Sequence, residues 1–493
     1  MRRLMTWVGG GLAVILAAVV VLAGVVAVNT LRQSSRQIQV GALARADVDE
    51  QGAAARLSEA IRFRTISNFL NPEQDADALR GLRAHIAASF PAFHAVAKRE
   101  IVGGHSLLYT WEGSEPAAKP IALLAHQDVV PVAPGTEKDW QHPPFDGVIA
   151  DGFIWGRGSW DDKGNLYAIL EAVEQMAKDG FRPTRTVYLA FGHDEEVSGQ
   201  RGAKEISALL ASRGVKLDFV LDEGLLITDG IMKGLDKPAA LIGIAEKGYA
   251  TLVLTARATP GHSSMPPRDT AIGMMAAALA RLEDHSLPAR VRGAVGEMFA
   301  TLAPEMSGFN RVVLSNLWLF KPLLVREFDK SGPTRAMVRT TTALTIFNAG
   351  DKDNVLPGNA EATVNFRLLP GDTQASVTAH VRETVRNERI TIAPFLGNTD
   401  PPPVTGTASA GYRILNRTIR EIFPDVIVAP GLMIAATDSR HYAGLTDNIF
   451  RFSPVRATSD DLKRFHGTNE RLSIANYADM IRFYRRLIQS SAG

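Results

Sequence analysis

The chain is expected to fold as an α/β protein in which a mainly parallel sheet is interrupted by an inserted α+β unit and preceded by one transmembrane helix. Three observations predict this. Short apolar runs alternate with helical patterns, the middle of the chain reads β-α-β-β-α-β, and the stretch from Met5 to Val28 carries no charge. At 493 residues the chain is too long for one compact domain, and its 46% hydrophobic and 22% charged content excludes wholesale disorder, collagen-like repeats and a polytopic membrane protein.

The first element is the apolar stretch, long enough to cross a hydrocarbon layer of roughly 30 Å as a helix. It has no polar face, so it does not read as a helix of a soluble core. Arg2 and Arg3 put the amino terminus on the cytoplasmic side by the positive-inside rule, a bias that Arg32 and Arg36 on the far flank weaken. The remainder is then expected outside the cytoplasm, in periplasm, lumen or extracellular space. Ala23, Gly24 and Ala27 would suit a cleavage site, but the run exceeds the roughly 7 to 15 residues of a secretory h-region, which favours an uncleaved signal anchor. Residues 1–30 form this anchor and 31–53 a linker.

The segments IALLA (Ile121 to Ala125), TVYLAF (Thr186 to Phe191) and FVLD (Phe219 to Asp222) are apolar runs ending in polar loops, the pattern of buried parallel strands. Between them, NLYAILEAVEQMAKDG and GAKEISALLASRG are helical patterns stopped by Gly180 and Gly214. Residues 54–247 therefore read as one α/β unit, whose site is expected beyond the carboxyl ends of its strands. From about Tyr249, the segments TLVLTARA, TAIGMMAAALARLE, TTTALTIF, ATVNFRLL, ASVTAHVRETV and ITIAPF follow the ferredoxin-like order, so residues 248–397 read as an inserted domain. Leu287 to Arg335 are expected to expand it with a loop and helical segment. PPPV at Pro401 to Val404 marks the return, and GYRILNRTIREIF, IFRFSPV and IANYADMIRFYRRLI complete the first sheet within residues 398–493.

Lys+Arg 54 against Asp+Glu 52 leaves a net charge of +2 and no electrostatic reason to expect nucleic acid. The absence of cysteine removes disulfides, thiolate zinc sites, iron–sulfur clusters and cysteine nucleophiles, so any metal must be held by His, Asp and Glu.

Five short stretches carry the chemistry. LLAHQDVVPV ends a strand in His126 and Asp128, on the same side of an extended chain, and an imidazole beside a carboxylate suits a metal ligand with a supporting partner. WGRGSWDDKG sets Asp161 and Asp162 at a helix start, where a plain N-cap is the alternative. FGHDEEVSG packs Asp194, Glu195 and Glu196 after a buried strand, and such like charges repel unless a cation or a proton-transfer role compensates them. LDEG brings Asp222 and Glu223 to the end of the next strand, and FHGTNERLS places His466 before the final helix. Each stretch alone has a bland explanation. Together, two histidines and three carboxylates suffice for two zinc-like ions roughly 3.5 to 4 Å apart, bridged by one carboxylate and one hydroxide, with a further carboxylate free as general base.

In this order the motifs H-x-D, G-R-G-x-x-D-D-K-G and D-E-E resemble the M20 family of dizinc exopeptidases and aminoacylases, from about Ala54 to the C-terminus. The resemblance implies a dizinc exopeptidase-type catalytic domain with a mixed, mainly parallel sheet, and a lid or dimerisation role for the ferredoxin-like insertion. It implies two divalent ions, Zn2+ foremost, with His126, Asp161 and Asp222 on one and Asp161, Glu196 and His466 on the other. Asp161 would be the bridge, and Glu223 competes with Asp222, because the family uses either Asp or Glu there. Glu195 resembles the general base and Asp128 the carboxylate that orients His126.

In the inserted domain, His262 of ATPGHSSMPP resembles the donor that stabilises the tetrahedral intermediate, often in the partner subunit of a dimer. Asn354 and Arg367 of NVLPGNAEATVNFRLLPG resemble residues that recognise a substrate's free carboxylate. ATDSRHY (Ala436 to Tyr442) resembles another substrate-side loop, in which Arg440 and His441 read equally as structural, and His193 is not read as a ligand. The implied reaction is hydrolysis of the amide bond of N-acyl amino acids or small peptides with a free C-terminal carboxylate, through a dimetal-bridged hydroxide with Glu195 as base. The anchor, LLAHQDVVPV, WQHPPF (Trp140 to Phe145) and RGSWDDKG extend the likeness to the carboxypeptidase S and N-fatty-acyl-amino-acid synthase/hydrolase branches of the family. The alternative is a non-catalytic membrane-anchored receptor or scaffold on the same fold, which would be expected to have lost ligands or the base. The expected partners are thus a small-molecule substrate and the membrane, with a homodimer left open.

Overall fold

The computed structural model describes residues 2–41 and 43–493; Met1 of the expected anchor and residue 42 of the expected linker lie outside them. An eight-stranded sheet takes its strands in the spatial order Lys98–Val102, Ser106–Trp111, Val187–Gly192, Ile121–His126, Phe219–Thr228, Ile449–Ala457, Ala239–Glu246 and Ile427–Met433. The Val187, Ile121, Phe219 and Ile449 strands are mutually parallel, whereas Ser106–Trp111, Ala239–Glu246 and Ile427–Met433 run against them. All six residues of Ile121–His126 are buried, as a strand covered on both faces requires. Alternation divides them: Leu123 and Ala125 join the core under helix Lys163–Lys178, while Ala122 and Leu124 join the core under helix Ala203–Ser212. The C-terminal helix Ile474–Ala492 packs against Lys163–Lys178 and buries Tyr477, Met480, Ile481, Phe483, Tyr484, Leu487 and Ile488. Helix Lys163–Lys178 ends where Gly180, at φ +73°, donates its N–H to the Ala177 carbonyl.

A second, antiparallel sheet orders Thr341–Ala349, Asn359–Leu368, Gly248–Arg257 and Ile390–Pro394. Helices Ala271–Asp284 and Gln374–Val385 cover one face and give this sheet a hydrophobic core of its own. Both start on a threonine: the hydroxyl of Thr270 accepts from the Gly273 N–H, and Thr373 forms a capping box with Ser376. The segment from Leu287 to Arg335 departs from expectation. It forms the helices Gly293–Leu302, Gly308–Ser315 and Leu317–Phe328, and Ala294, Val295, Met298, Phe299 and Leu302 pack into the main core beside strand Ile427–Met433 rather than into the second sheet.

The chain opens with helix Arg2–Arg32. Its segment Gly11–Arg32, 22 residues long, is apolar, long enough to cross a membrane and exposed along most of its length. The stretch that follows is tied down: the Gln37 side-chain amide donates to the Val428 carbonyl at 3.0 Å and accepts the Val428 N–H at 2.8 Å.

Candidate dimetal site

The parallel strands Ile121–His126, Val187–Gly192 and Phe219–Thr228 deliver the polar residues to one end of the main sheet. His126 is the last residue of its strand, Glu195 and Glu196 follow the next, and Glu223 projects from the third. Asp161 comes from the glycine-rich loop before helix Lys163–Lys178, and His466 from the loop before the C-terminal helix.

Asp161 is the centre of the arrangement. Its Oδ1 lies 3.1 Å from His126 Nε2 and its Oδ2 lies 2.7 Å from His466 Nε2. Glu223 Oε1 approaches His126 Nε2 at 3.5 Å, and Glu196 Oε2 approaches His466 Nε2 at 3.5 Å. Two sets of ligand atoms therefore converge, His126–Asp161–Glu223 and Asp161–Glu196–His466, each set within 4.8 Å of one another. Asp161 belongs to both.

The structure brings Glu223 to His126, and not Asp222. Asp222 Oδ2 accepts the Ser439 N–H at 2.7 Å and its Oδ1 accepts the Glu223 N–H at 2.9 Å, so that carboxylate is turned away. The reason lies in the strand, which does not end at Asp222 but runs on to Thr228. Its ladder with Ile449–Ala457 slips between Asp222 and Leu225, leaving Glu223 and Gly224 outside the register. Gly224 has φ +142°, and a Cβ there would meet the Cβ of Arg451 at 2.8 Å. The bulge turns the two acids apart.

Asp128 clasps the site from behind. Its Oδ1 sits 3.3 Å from His126 Nδ1, and its two oxygens accept the backbone N–H groups of Glu195 and Glu196, each at 3.1 Å. One buried carboxylate thus orients an imidazole and fixes the acidic turn. Asp162 is not a plain N-cap: its Oδ2 accepts the His126 N–H at 3.2 Å, and its other oxygen accepts from the Asn165 side chain.

The electrostatics follow from burying so many acids together. Burial, then the neighbouring carboxylates, pushes Glu195 and Asp162 well above the usual carboxylate range, and Glu223 up to about 8. Burial also raises Glu196 and Asp222. For Asp161, burial is outweighed by hydrogen bonds from His126 and His466, which hold it below its ordinary value. The partner effect raises His466 to about 10 through hydrogen bonds to Asp161 and Glu196. Glu196 Oε1 is buried without a hydrogen-bond partner. Orphaned, mutually repelling oxygens facing imidazole nitrogens are a donor set that fits divalent cations.

On the second sheet, the Arg367 guanidinium lies 4.8 Å from the Tyr249 ring centroid. Burial lowers its pKa, and the charges of Arg440, Glu246 and Glu195 act on it. His262 is exposed; its strand pairs with Val355–Leu356, and the Ser263 N–H donates to the Asn354 carbonyl at 3.2 Å. His262 and Asn354 thus lie together, apart from the two ligand sets. Arg440 and His441 both reach the Ser198 carbonyl behind the acidic turn, at 2.9 and 3.1 Å, and His193 Nδ1 pairs with Ser106 Oγ at 2.6 Å.

Glu470 is a residue that the sequence reading missed. It is fully buried, pairs with Arg157 at 2.6 Å, and its other oxygen accepts the N–H groups of Gly158, Trp160 and Asp161 at 2.9 to 3.1 Å. It moulds the loop that presents Asp161. Its only sequence signal is its place four residues after His466 in FHGTNERLS.

The profile of peptidase family M20/M25/M40 matches residues 122–490. The Xenopus tropicalis protein named N-fatty-acyl-amino acid synthase/hydrolase PM20D1 is 45% identical over 450 residues, covering 90% of this chain and 87% of the relative. The Dictyostelium discoideum protein named "Probable carboxypeptidase S-like 2" is 42% identical over 473 residues, covering 94% and 91%. Among solved structures, the M20 family metallo-carboxypeptidase Sso-CP2 from Sulfolobus solfataricus shares the fold at a TM-score of 0.64 and 18% identity, covering 90% of this chain and 99% of that one. The match over most of the chain, on a mixed sheet that ends in an imidazole–carboxylate cluster, makes this protein a member of the M20 family of metallohydrolases.

Proposed function

We propose that the protein is a membrane-anchored dimetal hydrolase that cleaves the amide bond of N-acyl amino acids or small peptides bearing a free C-terminal carboxylate. Family membership implies a divalent metal ion. That there are two, and that they are zinc, is our reading. One observation carries it: Asp161 offers separate oxygens to His126 and His466, so a single carboxylate can serve two neighbouring cations. His126, Asp161 and Glu223 would hold one ion and Asp161, Glu196 and His466 the other. Imidazole and carboxylate without thiolate suit zinc. When bound, such ions polarise the scissile carbonyl and make water acidic enough to attack at neutral pH.

The protein's own residues do the rest. Glu195 takes the proton of the attacking water and delivers it to the leaving amine nitrogen; its burial, which raises its proton affinity, and its backbone tie to Asp128 support that role. Asp128 holds His126 in place. Arg367 binds the free carboxylate, and the guanidinium supplies paired donors for it; Asn354 lies beside His262, at the other end of strand Asn359–Leu368 from Arg367, so its amide joins the carboxylate only from a second copy. His262 donates to the carbonyl oxygen as negative charge develops, reached by closure of the inserted domain or from a second copy in a homodimer. The domain reading is a catalytic unit of residues 54–247 and 398–493 with the insertion 248–397 supplying the lid through its antiparallel sheet, while its helix Gly293–Leu302 stays with the main core. The relatives' names, N-fatty-acyl-amino acid synthase/hydrolase and carboxypeptidase S-like, support this substrate class. The N-terminal helix is read as a signal anchor with the catalytic part outside the cytoplasm, on the strength of Arg2 and Arg3 before an apolar segment of 22 residues.

The test is a rate comparison on the zinc-loaded full-length protein, each N-acyl amino acid or dipeptide against its C-terminal amide. The acid is expected to be preferred by roughly ten-fold or more in kcat/KM, a preference that Arg367→Ala removes. Equal rates on acid and amide in the wild type would refute carboxylate recognition.

A further inference from the structure

The helices Gly308–Ser315 and Leu317–Phe328 take no part in the site, yet they turn large apolar side chains outward. Phe309 is 62% exposed, Trp318 59% and Leu323 40%, and Phe320 packs edge-on against Phe309 with ring centroids 6.0 Å apart. Lys321 and Arg326 stand exposed beside them. Large apolar side chains left this exposed on neighbouring helices mark a contact with something.

The same helices are fastened to the end of the apolar N-terminal helix. Asn316, between the two, donates its side-chain amide to Thr30 Oγ1 at 3.0 Å and to the Val26 carbonyl at 3.3 Å. Val26, Asn29 and Thr30, spaced as one helical face, are half-buried where the apolar helix meets Gly308–Ser315. Val26 lies about 9 Å before the end of that helix at the α-helical rise. The contact therefore sits at the level where a spanning helix leaves hydrocarbon for headgroups, the depth that tryptophan favours.

We propose that the surface of Phe309, Trp318, Phe320 and Leu323 is seated in the lipid bilayer interface, its aromatic rings in the headgroup–acyl boundary and Lys321 and Arg326 toward anionic headgroups. The occupant is lipid rather than a second copy because the patch is continuous with the membrane helix through Asn316. The inference rests on the reading of that helix as a span, and the experiment separates the two.

Full-length protein is reconstituted in vesicles of phosphatidylglycerol and phosphatidylcholine brominated at the shallow acyl positions. Of its six tryptophans, Trp111, Trp140, Trp155 and Trp160 are buried in the main fold, leaving Trp7 and Trp318 as reporters. Subtracting the emission of the Trp7→Phe/Trp318→Phe double variant from that of Trp7→Phe isolates Trp318, and subtracting it from Trp318→Phe isolates Trp7. Bromolipid is expected to quench the Trp318 component by roughly half or more, as it does a side chain at the acyl boundary. Quenching of Trp7 with none of Trp318 would overturn the docking surface and leave the span standing. Quenching of neither would overturn both. A Trp318 component that stays blue-shifted and unquenched in a protein running as a dimer in detergent would assign the surface to a second copy and likewise overturn the proposal.

Discussion

The two oxygens of Asp161 lie where His126 and His466 can share them, and the residues around it hold it there. Glu470 holds the loop behind it, and Asp128 holds both His126 and the turn that carries Glu195 and Glu196. The identity of the remaining acid is a sharper question. Glu223 reaches His126, while Asp222 is occupied by the N–H groups of Ser439 and Glu223. Glu223→Gln is therefore expected to lose about one of two bound zinc equivalents, because an amide oxygen is a weaker ligand than a carboxylate. Asp222→Asn should keep both. Metal content after dialysis against dilute chelator reads the difference, and the reverse outcome would reassign the ligand. LDEG contains both acids and does not choose between them; which acid faces His126 follows from the bulge at Gly224, which depends on pairing with a strand more than two hundred residues later.

At the scale of elements, the strands and helices that could be read from the sequence are those whose burial is periodic and local. The runs IALLA, TVYLAF and FVLD are strands, and Gly180 and Gly214 stand just beyond the helices that precede them. The segment from Leu287 to Arg335 was readable as helical but not as to where it packs, because its apolar face meets a strand that begins at Ile427. Glu470 was equally hidden: Arg157 is 313 residues away in sequence. That pair is buried on both sides, and removing one partner leaves the other charge unpaired and three N–H groups without an acceptor. Glu470→Ala is expected to cost about 3 to 5 kcal/mol, read as a lower midpoint in urea. A midpoint shifted by less than the wild-type error would show that the loop holds without it.

For the molecule as a whole, the junction between the two sheets is Lys247, between strands Ala239–Glu246 and Gly248–Arg257. Its ammonium donates to the carbonyls of Ala336 and Arg339 at 2.9 and 2.8 Å, and burial, then Arg367, lowers it to about 7. The folded state thus binds this proton less tightly than the unfolded chain, whose lysine keeps a value near 10.5. The destabilisation is complete below about pH 7 and fades as pH rises toward about 10. Relative to Lys247→Met, the wild type is expected to gain stability between about pH 7 and pH 10; a difference that does not vary with pH would contradict the burial of the charge. The two sheets serve one function only if the acidic cluster at the end of the main sheet is a hydrolytic centre. The most direct measurement is hydrolysis of an N-acyl amino acid by Glu195→Gln, with metal content determined on the same sample. A fall in kcat of roughly 100- to 10,000-fold with two metal equivalents retained is the predicted result; wild-type turnover in that variant would contradict the mechanism.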